Sequence, residues 1–352
     1  MKDTYGREFS LPDFTMNDIL EAIPSECFNR SAVRGFGYVF RDIFLVACAG
    51  AAAYYGIPLL SSSFLRFLGW MVYGLVQGCI GTGVWVLAHE CGHQAFSPSR
   101  KLNDSVGWVL HSALLVPYFS WQISHGKHHK ATGHIQKDMV FVPKTLSTVI
   151  QRRGAKPEDF NVDNMDEMSE EQENKLYDLI EDAPIVSLYV LILQQVAGWL
   201  GYLFLNLSGQ KYASKSKWEV NHFNPSSPIF SPHEYNKILI SDLGIAITVG
   251  ALVMATKTWG FSTVACFYLL PYLWVNHWLV LITYLQHTDP ALPHYRAGAW
   301  NFQRGAAATM DRDFGFVGKH IFHDIIEVYT PTPPPNSTFS CPGRLLVLFE
   351  LC

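Results

Sequence analysis

Long stretches without a charged residue alternate with shorter polar segments along most of the chain. A membrane-spanning helix needs about 20 predominantly apolar residues, and several of these stretches reach that length. A buried helix of a large soluble core is the alternative, but uncharged stretches of this length recur along the chain, which favours a membrane protein. The pattern therefore predicts an all-α integral membrane protein. The uncharged stretches cover 43–65, 67–88, 105–126, 184–208, 243–256 and 258–286.

The composition agrees with this prediction. Of the 352 residues, 16% are charged and 49% are hydrophobic, whereas an ordinary soluble domain has roughly 25% charged residues. The apolar content excludes an intrinsically disordered protein, and 26 basic against 30 acidic residues argue against a nucleic-acid-binding protein. The seven cysteines form no C-x-x-C pair, which fits a reducing, cytosolic environment. Residues 1–14 contain no apolar core, so we expect no cleavable signal peptide.

The chain divides into three parts by composition. We expect a cytosolic N-terminal segment over 1–42, a membrane domain over 43–327 and a divergent, proline-rich tail over 328–352. Within the membrane domain, residues 155–182 include 11 acidic and two basic residues. Such a run is typical of a solvated surface segment, and we assign it no catalytic role.

Three groups of histidines begin where an uncharged stretch ends. In a helix, residues three or four positions apart share a face, so the histidines within each of the first two groups can point at one metal ion. Neutral imidazole binds zinc, copper, iron and nickel, so histidine by itself does not identify the metal. The groups are His89 and His93 in HECGH, His125, His128 and His129 in HGKHH, and His287 in QHTD.

The first group also has a second interpretation. HECGH fits H-E-x-x-H, the helix in which two histidines of a metalloprotease bind zinc and the glutamate acts as a general base. A zinc site uses three or four protein ligands, and the first two groups together already provide five histidines. The number of histidines therefore favours two metal ions, and an intramembrane zinc protease stays as the alternative.

The histidine groups can meet only if they lie on one side of the membrane. If 43–65 and 67–88 cross the membrane, the first group lies on the side of the N-terminus. The second group can join it only if 105–124 does not cross, and the third group only if 184–208 does not cross either. We therefore predict four spanning helices, two interfacial helices and a cytosolic histidine-rich cap that holds most basic residues. The spans are 43–65, 67–88, 238–256 and 260–286, and the interfacial helices are 105–124 and 184–208.

The other histidines are predicted to have ordinary structural roles. We expect His111 and His277 to be packed or hydrogen-bonded within apolar stretches, because an isolated histidine there is seldom a ligand. The spacing of His320 and His323 in HIFHD does not decide between a structural and a ligand role. We expect surface positions, or positions behind the ligands, for His134, His222, His233 and His294.

Several long motifs resemble the membrane-bound fatty acid desaturases, most closely the fungal delta-12 (oleate) type. The similarity covers about residues 5–327. It implies an enzyme of the endoplasmic reticulum membrane with two iron ions held by histidines, which uses O2 and receives electrons from NADH through cytochrome b5 and its reductase. The motifs are VWVLAHECGHQAFSPS, VPYFSWQISHGKHHKATGHIQKDMVFVPK, VNHFNP, PYLWVNHWLVLITYLQHTDPALPHY and NFQRGAAATMDRDFGFVGKHIFH.

The resemblance also implies roles for individual residues. The substrate would be an oleoyl chain of a membrane lipid, converted to linoleoyl by a cis double bond at the delta-12 position. Carboxylates next to the ligands would orient the imidazoles, and Glu90, Asp138 and Asp289 are the candidates. The aromatic residues Trp85, Tyr272 and Trp274 could line an acyl tunnel. The implied iron ligands are His89, His93, His125, His128, His129, His287 and His323.

The sequence departs from the family pattern from Val328 onward. The family has a third box, H-x-x-H-H, a few residues beyond the segment matched by FHDIIE, and no such box follows here. We therefore expect three fewer iron ligands and impaired activity, or a catalytically inactive desaturase-like protein. Our hypothesis is a shifted reading frame or a mispredicted intron, and translating the genomic DNA beyond the Glu327 codon in the other frames tests it. Regiochemistry stays open, because related enzymes act at the omega-3 position or hydroxylate.

Overall fold

The computed structural model describes residues 28–162, 168–289, 291–310 and 312–325, together with four residues between positions 15 and 21. These residues contain no β-strand, and the one isolated backbone bridge among them joins His134 to Tyr295. The prediction of an all-α protein is therefore confirmed. The predicted tail, 328–352, and nearly all of residues 1–27 lie outside the described part of the chain.

Twelve α-helices are described in this part of the chain, with a π-helical segment at Ala265–Leu269 between the ninth and the tenth. They are α1 (Ala32–Gly56), α2 (Ser63–Gly92), α3 (Arg100–Ala113), α4 (Tyr118–His129), α5 (Leu146–Arg152), α6 (Glu170–Ile180), α7 (Pro184–Leu205), α8 (Tyr235–Trp259), α9 (Phe261–Val264), α10 (Leu270–His287), α11 (Phe302–Ala307) and α12 (Gly315–His320).

Five helical segments of the described residues are long and apolar enough to cross a membrane. Four of them correspond to the predicted spans, which supports a multi-pass membrane protein. The fifth, Pro184–Leu205, falls in the stretch that was predicted to lie in the interface, and only its length and composition qualify it. The arrangement with four crossings stays a prediction. The five segments are Ala32–Leu59, Ser63–Gly92, Pro184–Leu205, Pro232–Trp259 and Phe261–His287.

The turn between the first two spans lies earlier than the charge pattern indicated. The sequence placed it at Arg66, but α1 ends at Gly56 and a 3₁₀ turn that contains Pro58 follows. Ser62 then begins α2, because its side chain accepts the backbone N–H of Leu65 at 3.2 Å. Arg66 lies in the first turn of α2, where its Nε donates to the carbonyl of Leu60 at 3.0 Å. The prediction took Arg66 for a loop residue because it is charged, but it belongs to the first turn of a helix.

The stretch predicted as one interfacial helix over 105–124 is two helices, α3 and α4. Pro117 precedes α4 and has no backbone N–H to continue the hydrogen bonds of α3. Leu115 adopts a left-handed backbone with φ of 54°, which is uncommon for a residue other than glycine. This break turns the chain, so that α4 can lie across the end of α2.

A proline and a tyrosine explain the π-helical segment before α10. Pro271 lacks the N–H that would bond the carbonyl of Phe267 in an α-helix, and such a defect often accompanies a helix bulge. Tyr73 of α2 supplies a replacement, because its hydroxyl donates to the Phe267 carbonyl at 3.5 Å. The helix therefore continues through the bulge to His287.

Helix α2 is the centre of the bundle and packs against α1, α3 and α10. Glycines bring it close to α10: side chains at Gly74, Gly78 and Gly81 would meet Leu270, Trp274 and Val275. The largest buried cluster lies where α2, α4, α7 and α10 come together. It contains Trp85, Val86, Val116, Trp121, Trp199, Tyr202, Leu203, Val275 and Leu279.

Replacing Gly78 with alanine is expected to destabilise the protein by about 1–3 kcal/mol. The new Cβ would collide with the Cβ of Trp274, which cannot move without its helix. Thermal unfolding of the detergent-purified protein measures the effect. Gly50→Ala is the matched control, because no atom lies within 4 Å of a Cβ at that position. Equal unfolding midpoints for both variants would contradict the close contact.

The acidic segment forms a small unit of its own. Ile150, Phe160 and Leu176 make a separate buried cluster between α5, the following loop and α6. Arg153 and Asp182 close this unit with an ion pair of 2.6 Å. Among its described residues, the acidic segment contributes none to the histidine cluster described below.

Candidate metal centre

The end of α2 delivers the first histidine box to the core. His89 lies in the last turn of α2, and His93 caps the helix one turn later, so both side chains are on one face. A side chain at Gly92 would collide with the ring of Trp121, so glycine lets α4 lie directly against α2. The two helices therefore bring their histidines to the same point.

Four histidines converge there. The possible ligand atoms of His89, His93, His125 and His129 all lie within 4.8 Å of one another. The Nε2 atom of His125 is 2.8 Å from the Nε2 atoms of both His89 and His129, and those of His89 and His93 are 3.1 Å apart. His125 is thus the centre of this cluster, which we call the four-histidine cluster.

The chemistry of the four-histidine cluster fits a metal ion. Burial, together with the neighbouring histidines, lowers the pKa of His125 and of His129 well below the usual range. Both imidazoles are therefore neutral at physiological pH and keep a lone pair for a metal. Imidazole nitrogen donors suit a divalent transition metal better than magnesium or calcium, which prefer oxygen ligands.

Tryptophan rings hold two of these imidazoles in place. The ring of Trp121 stacks on His125 with centroids 4.6 Å apart and an interplanar angle of 24°. Trp85 lies 5.3 Å from the ring of His89, and its indole is also 5.5 Å from Trp121. Because both tryptophans belong to the buried cluster, they keep water away from one side of the histidines.

A second pair of histidines lies beside the four-histidine cluster. The rings of His128 and His287 are 5.0 Å apart, and Nδ1 of His128 donates to Oδ1 of Asp138 at 2.7 Å. A carboxylate only accepts, so Nε2 of His128 keeps its lone pair. Burial raises the pKa of Asp138, but His128 and the backbone N–H groups of Val140 and Phe141 outweigh this effect and hold the pKa below its usual value.

The three carboxylates that were candidates to orient ligands have different hydrogen-bond partners. Asp138 bonds His128, as described, and Oε1 of Glu90 accepts from Nδ1 of His89 at 3.1 Å. Asp289 instead accepts a hydrogen bond of 2.7 Å from Arg312. Two of the three candidates thus contact a predicted ligand, and the third pairs with an arginine.

His323 belongs to neither of these two groups. Its Nε2 donates to Oδ2 of Asp42 at 2.7 Å, and the imidazole stands edge-on to Tyr38 with centroids 5.3 Å apart. The chemistry of the sequence gave no indication of Asp42, which directly precedes an apolar stretch. Whether each predicted histidine binds a metal stays a prediction.

The histidines predicted to lie at the surface or behind the ligands differ in burial. His134 and His222 are buried, His294 is partly exposed, and His233 is exposed, as is His320. His111 is buried as expected, with Nε2 3.3 Å from the carbonyl of Trp85.

His222 contacts the helix that carries His125, His128 and His129. Its Nε2 is 3.1 Å from Oγ of Ser124, and the hydroxyl of Tyr202 is 2.9 Å from the same oxygen. Burial lowers the pKa of His222 to about 4, so the ring is neutral. Ser124 directly precedes His125, and the VNHFNP motif was the one sequence signal for this contact.

The aromatic residues proposed for an acyl tunnel have packing partners. Trp85 is buried in the core, Trp274 packs edge-on against His277 with centroids 5.3 Å apart, and Tyr272 stacks on Tyr268 at 6.2 Å. Their role in a tunnel stays a prediction.

A basic cleft opens beside the four-histidine cluster. It has a volume of about 430 Å³, and His93 forms part of its wall. Of the described residues that line it, Glu234 alone is acidic. The basic residues around it are Arg30, Arg100, Lys127, Lys130 and Lys237.

The fold and the site together define an all-α integral membrane protein with a buried histidine cluster that can bind metal. Residues 62–312 match the sequence pattern of the family "Fatty acid desaturase". The chain belongs to the fatty acid desaturase family, whose members are oxidoreductases.

Individual relatives narrow the comparison. The chain is 49% identical to the "Delta(12) fatty acid desaturase" of Mortierella isabellina and to that of Mortierella alpina, over 93% of this chain and 78% of each relative. It is 43% identical to the "Oleate hydroxylase" of Claviceps purpurea, over 93% of this chain and 68% of that protein. These similarities do not favour an intramembrane zinc protease or a catalytically inactive protein.

Proposed function

We propose that the protein is an acyl-lipid desaturase that introduces a cis double bond at the delta-12 position of oleoyl chains and so forms linoleoyl chains. The observation that supports this most directly is the four-histidine cluster, found in a chain 49% identical to two fungal delta-12 desaturases. The oleate hydroxylase is the runner-up, because it is 43% identical to this chain.

The proposed cofactor is a pair of iron ions. His89, His93, His125 and His129 would hold one ion, and His128 and His287 would contribute to the other. Iron held by these residues would supply the O2 activation that removal of hydrogen from an unactivated methylene group needs. In the balanced reaction, two hydrogen atoms from the acyl chain, two electrons and two protons reduce O2 to two water molecules.

The residues of the chain prepare the site for this chemistry. Asp138 and Glu90 fix the Nδ1–H groups of His128 and His89, so that Nε2 of each ring can serve as a metal ligand. Trp85 and Trp121 hold the rings and exclude water from one side, which protects a strong oxidant from side reactions.

Membrane lipid acyl chains are the proposed substrate, and cytochrome b5 with its NADH reductase is the proposed electron donor. The basic cleft supports an acidic donor, since five cationic residues face one carboxylate around His93. The proposed location is the endoplasmic reticulum membrane, as for the family that the sequence resembles.

Expression in yeast that makes oleate but no linoleate tests the function. We expect linoleate in the lipids, with about two irons per purified chain. A hydroxylated oleate would identify a hydroxylase instead. An intramembrane zinc protease would contain zinc in place of iron. Its proteolytic activity would be lost in Glu90→Gln and kept in His128→Ala. Iron-loaded, folded protein without any modified oleate would contradict the proposal.

A further inference from the structure

Both ring nitrogens of His323 contact charged side chains of α1. Nε2 donates to Oδ2 of Asp42 at 2.7 Å, and Nη2 of Arg41 lies 3.4 Å from Nδ1 and 3.3 Å from Nε2. The same guanidinium donates through Nε and Nη2 to Oδ1 of Asp42 at 2.9 and 2.7 Å. The side chains of His323 and Asp42 are 3% and 2% exposed. In this arrangement Nε2 is bonded to Asp42, and the guanidinium that lies beside both ring nitrogens would repel a metal cation.

Three parts of the chain meet at this hydrogen bond. Asp42 belongs to α1, and His323 belongs to the segment that follows α12. Gly83 of α2 lies between them: a Cβ there would be 3.2 Å from Oδ2 of Asp42 and would collide with the carbonyl of Ile321. His323 and Asp324 adopt left-handed backbones with φ of 55° and 59°, which persist only where surrounding contacts hold them.

A continuous path of packed side chains connects this junction to the four-histidine cluster. Two residues beyond His323, Ile325 packs against the buried cluster that contains Trp85 and Trp121. These tryptophans contact the rings of His89 and His125, at 5.3 and 4.6 Å. On its other side, the same segment is fixed by Phe322, which is buried against Trp278 and Ile282 of α10. Movement of residues 321–325 would therefore disturb the packing behind the histidines.

We propose that Asp42 and His323 are positioning residues and that His323 is not an iron ligand. Their hydrogen bond anchors residues 321–325 to α1 and α2, and this anchored segment keeps Trp85 and Trp121 against His89 and His125. The proposal rests on the proposed function only in assuming that the four-histidine cluster holds iron.

The test compares Asp42→Asn, His323→Gln and the double variant. We expect each single variant to lower linoleate formation per folded protein about tenfold. The double variant should form as much linoleate per folded protein as the less active single variant, because all three variants remove the same hydrogen bond. Iron per chain should stay at the wild-type value, whereas the Mössbauer spectrum of the purified protein should change. Hydrogen exchange of residues 321–325 should rise in the metal-free variants as well.

Asp182→Asn is the matched control. Asp182 forms an ion pair of 2.6 Å with Arg153, close to the length of the Asp42–His323 contact, but at the exposed edge of the acidic segment. This variant should keep wild-type linoleate formation, spectrum and hydrogen exchange, since it lies in a separate unit.

Several results would overturn the proposal. Loss of iron in His323→Gln but not in Asp42→Asn would make His323 a ligand, and additive losses in the double variant would separate the two residues. Reduced yield of both single variants with normal activity per folded molecule, or no yield while Asp182→Asn accumulates, would leave only a contribution to stability. Wild-type protein without linoleate would refute the proposed function instead, and iron content and hydrogen exchange would still decide on the anchor.

Discussion

Replacement of His125 by alanine is expected to reduce linoleate formation roughly a hundredfold or more and to lower the metal content of the purified protein. Nε2 of His125 contacts the Nε2 atoms of both His89 and His129, so the variant removes the donor at the centre of the four-histidine cluster. Gas chromatography of yeast lipids measures the product, and metal analysis of the purified protein measures the occupancy.

His320→Ala is the control for this variant. His320 is exposed on α12, its ring contacts Phe316 at 4.7 Å, and it is not one of the four clustered histidines. Its product and metal content should equal those of the wild type. If His125→Ala retained both activity and metal, the four-histidine cluster would not be the metal centre.

Removal of the Asp138 carboxylate has the second largest expected effect. Asp138→Ala should lose about 10–100-fold in activity, because His128 would lose the partner that fixes its ring and two backbone N–H groups would lose their acceptor. Asp138→Asn should lose less, because its amide oxygen can still accept from Nδ1 of His128. Product formation and iron content, measured side by side, test both variants.

Asp289→Asn is the variant to compare with Asp138→Ala. The sequence placed Asp138 and Asp289 in the same orienting role, but Asp289 accepts from Arg312 and from the backbone N–H of Ala291. We therefore expect a smaller loss than in Asp138→Ala. Equal losses in the two variants would show that the hydrogen bond to His128 is not what matters.

Much of the fold could be predicted from hydrophobicity because a bilayer imposes a minimum length on apolar helices. The bounds were less accurate where a single charged residue was the guide. Arg66 appeared to divide two spans, yet it lies inside α2 and bonds the preceding turn. The division of α3 from α4 was missed because Pro117 stands within an uncharged stretch, where charge gives no signal.

The metal centre was predictable to the extent that its spacing is local. His89 and His93, one helical turn apart, must share a face wherever the helix lies. The contacts of His222 and His323 were not predictable in this way, since their partners Ser124 and Asp42 are 98 and 281 positions away in the chain. Only packing brings such residues together.

The sequence by itself determined the membrane class, the local pairing of histidines and the family resemblance, because apolar length, helical period and long motifs are properties of contiguous residues. The tertiary structure alone decided which histidines meet. It placed His125 between His89 and His129. It also brought His128 into a hydrogen bond with Asp138 and His323 into one with Asp42. The physical reason is that close approach of α2 and α4 depends on glycine and tryptophan contacts between distant segments.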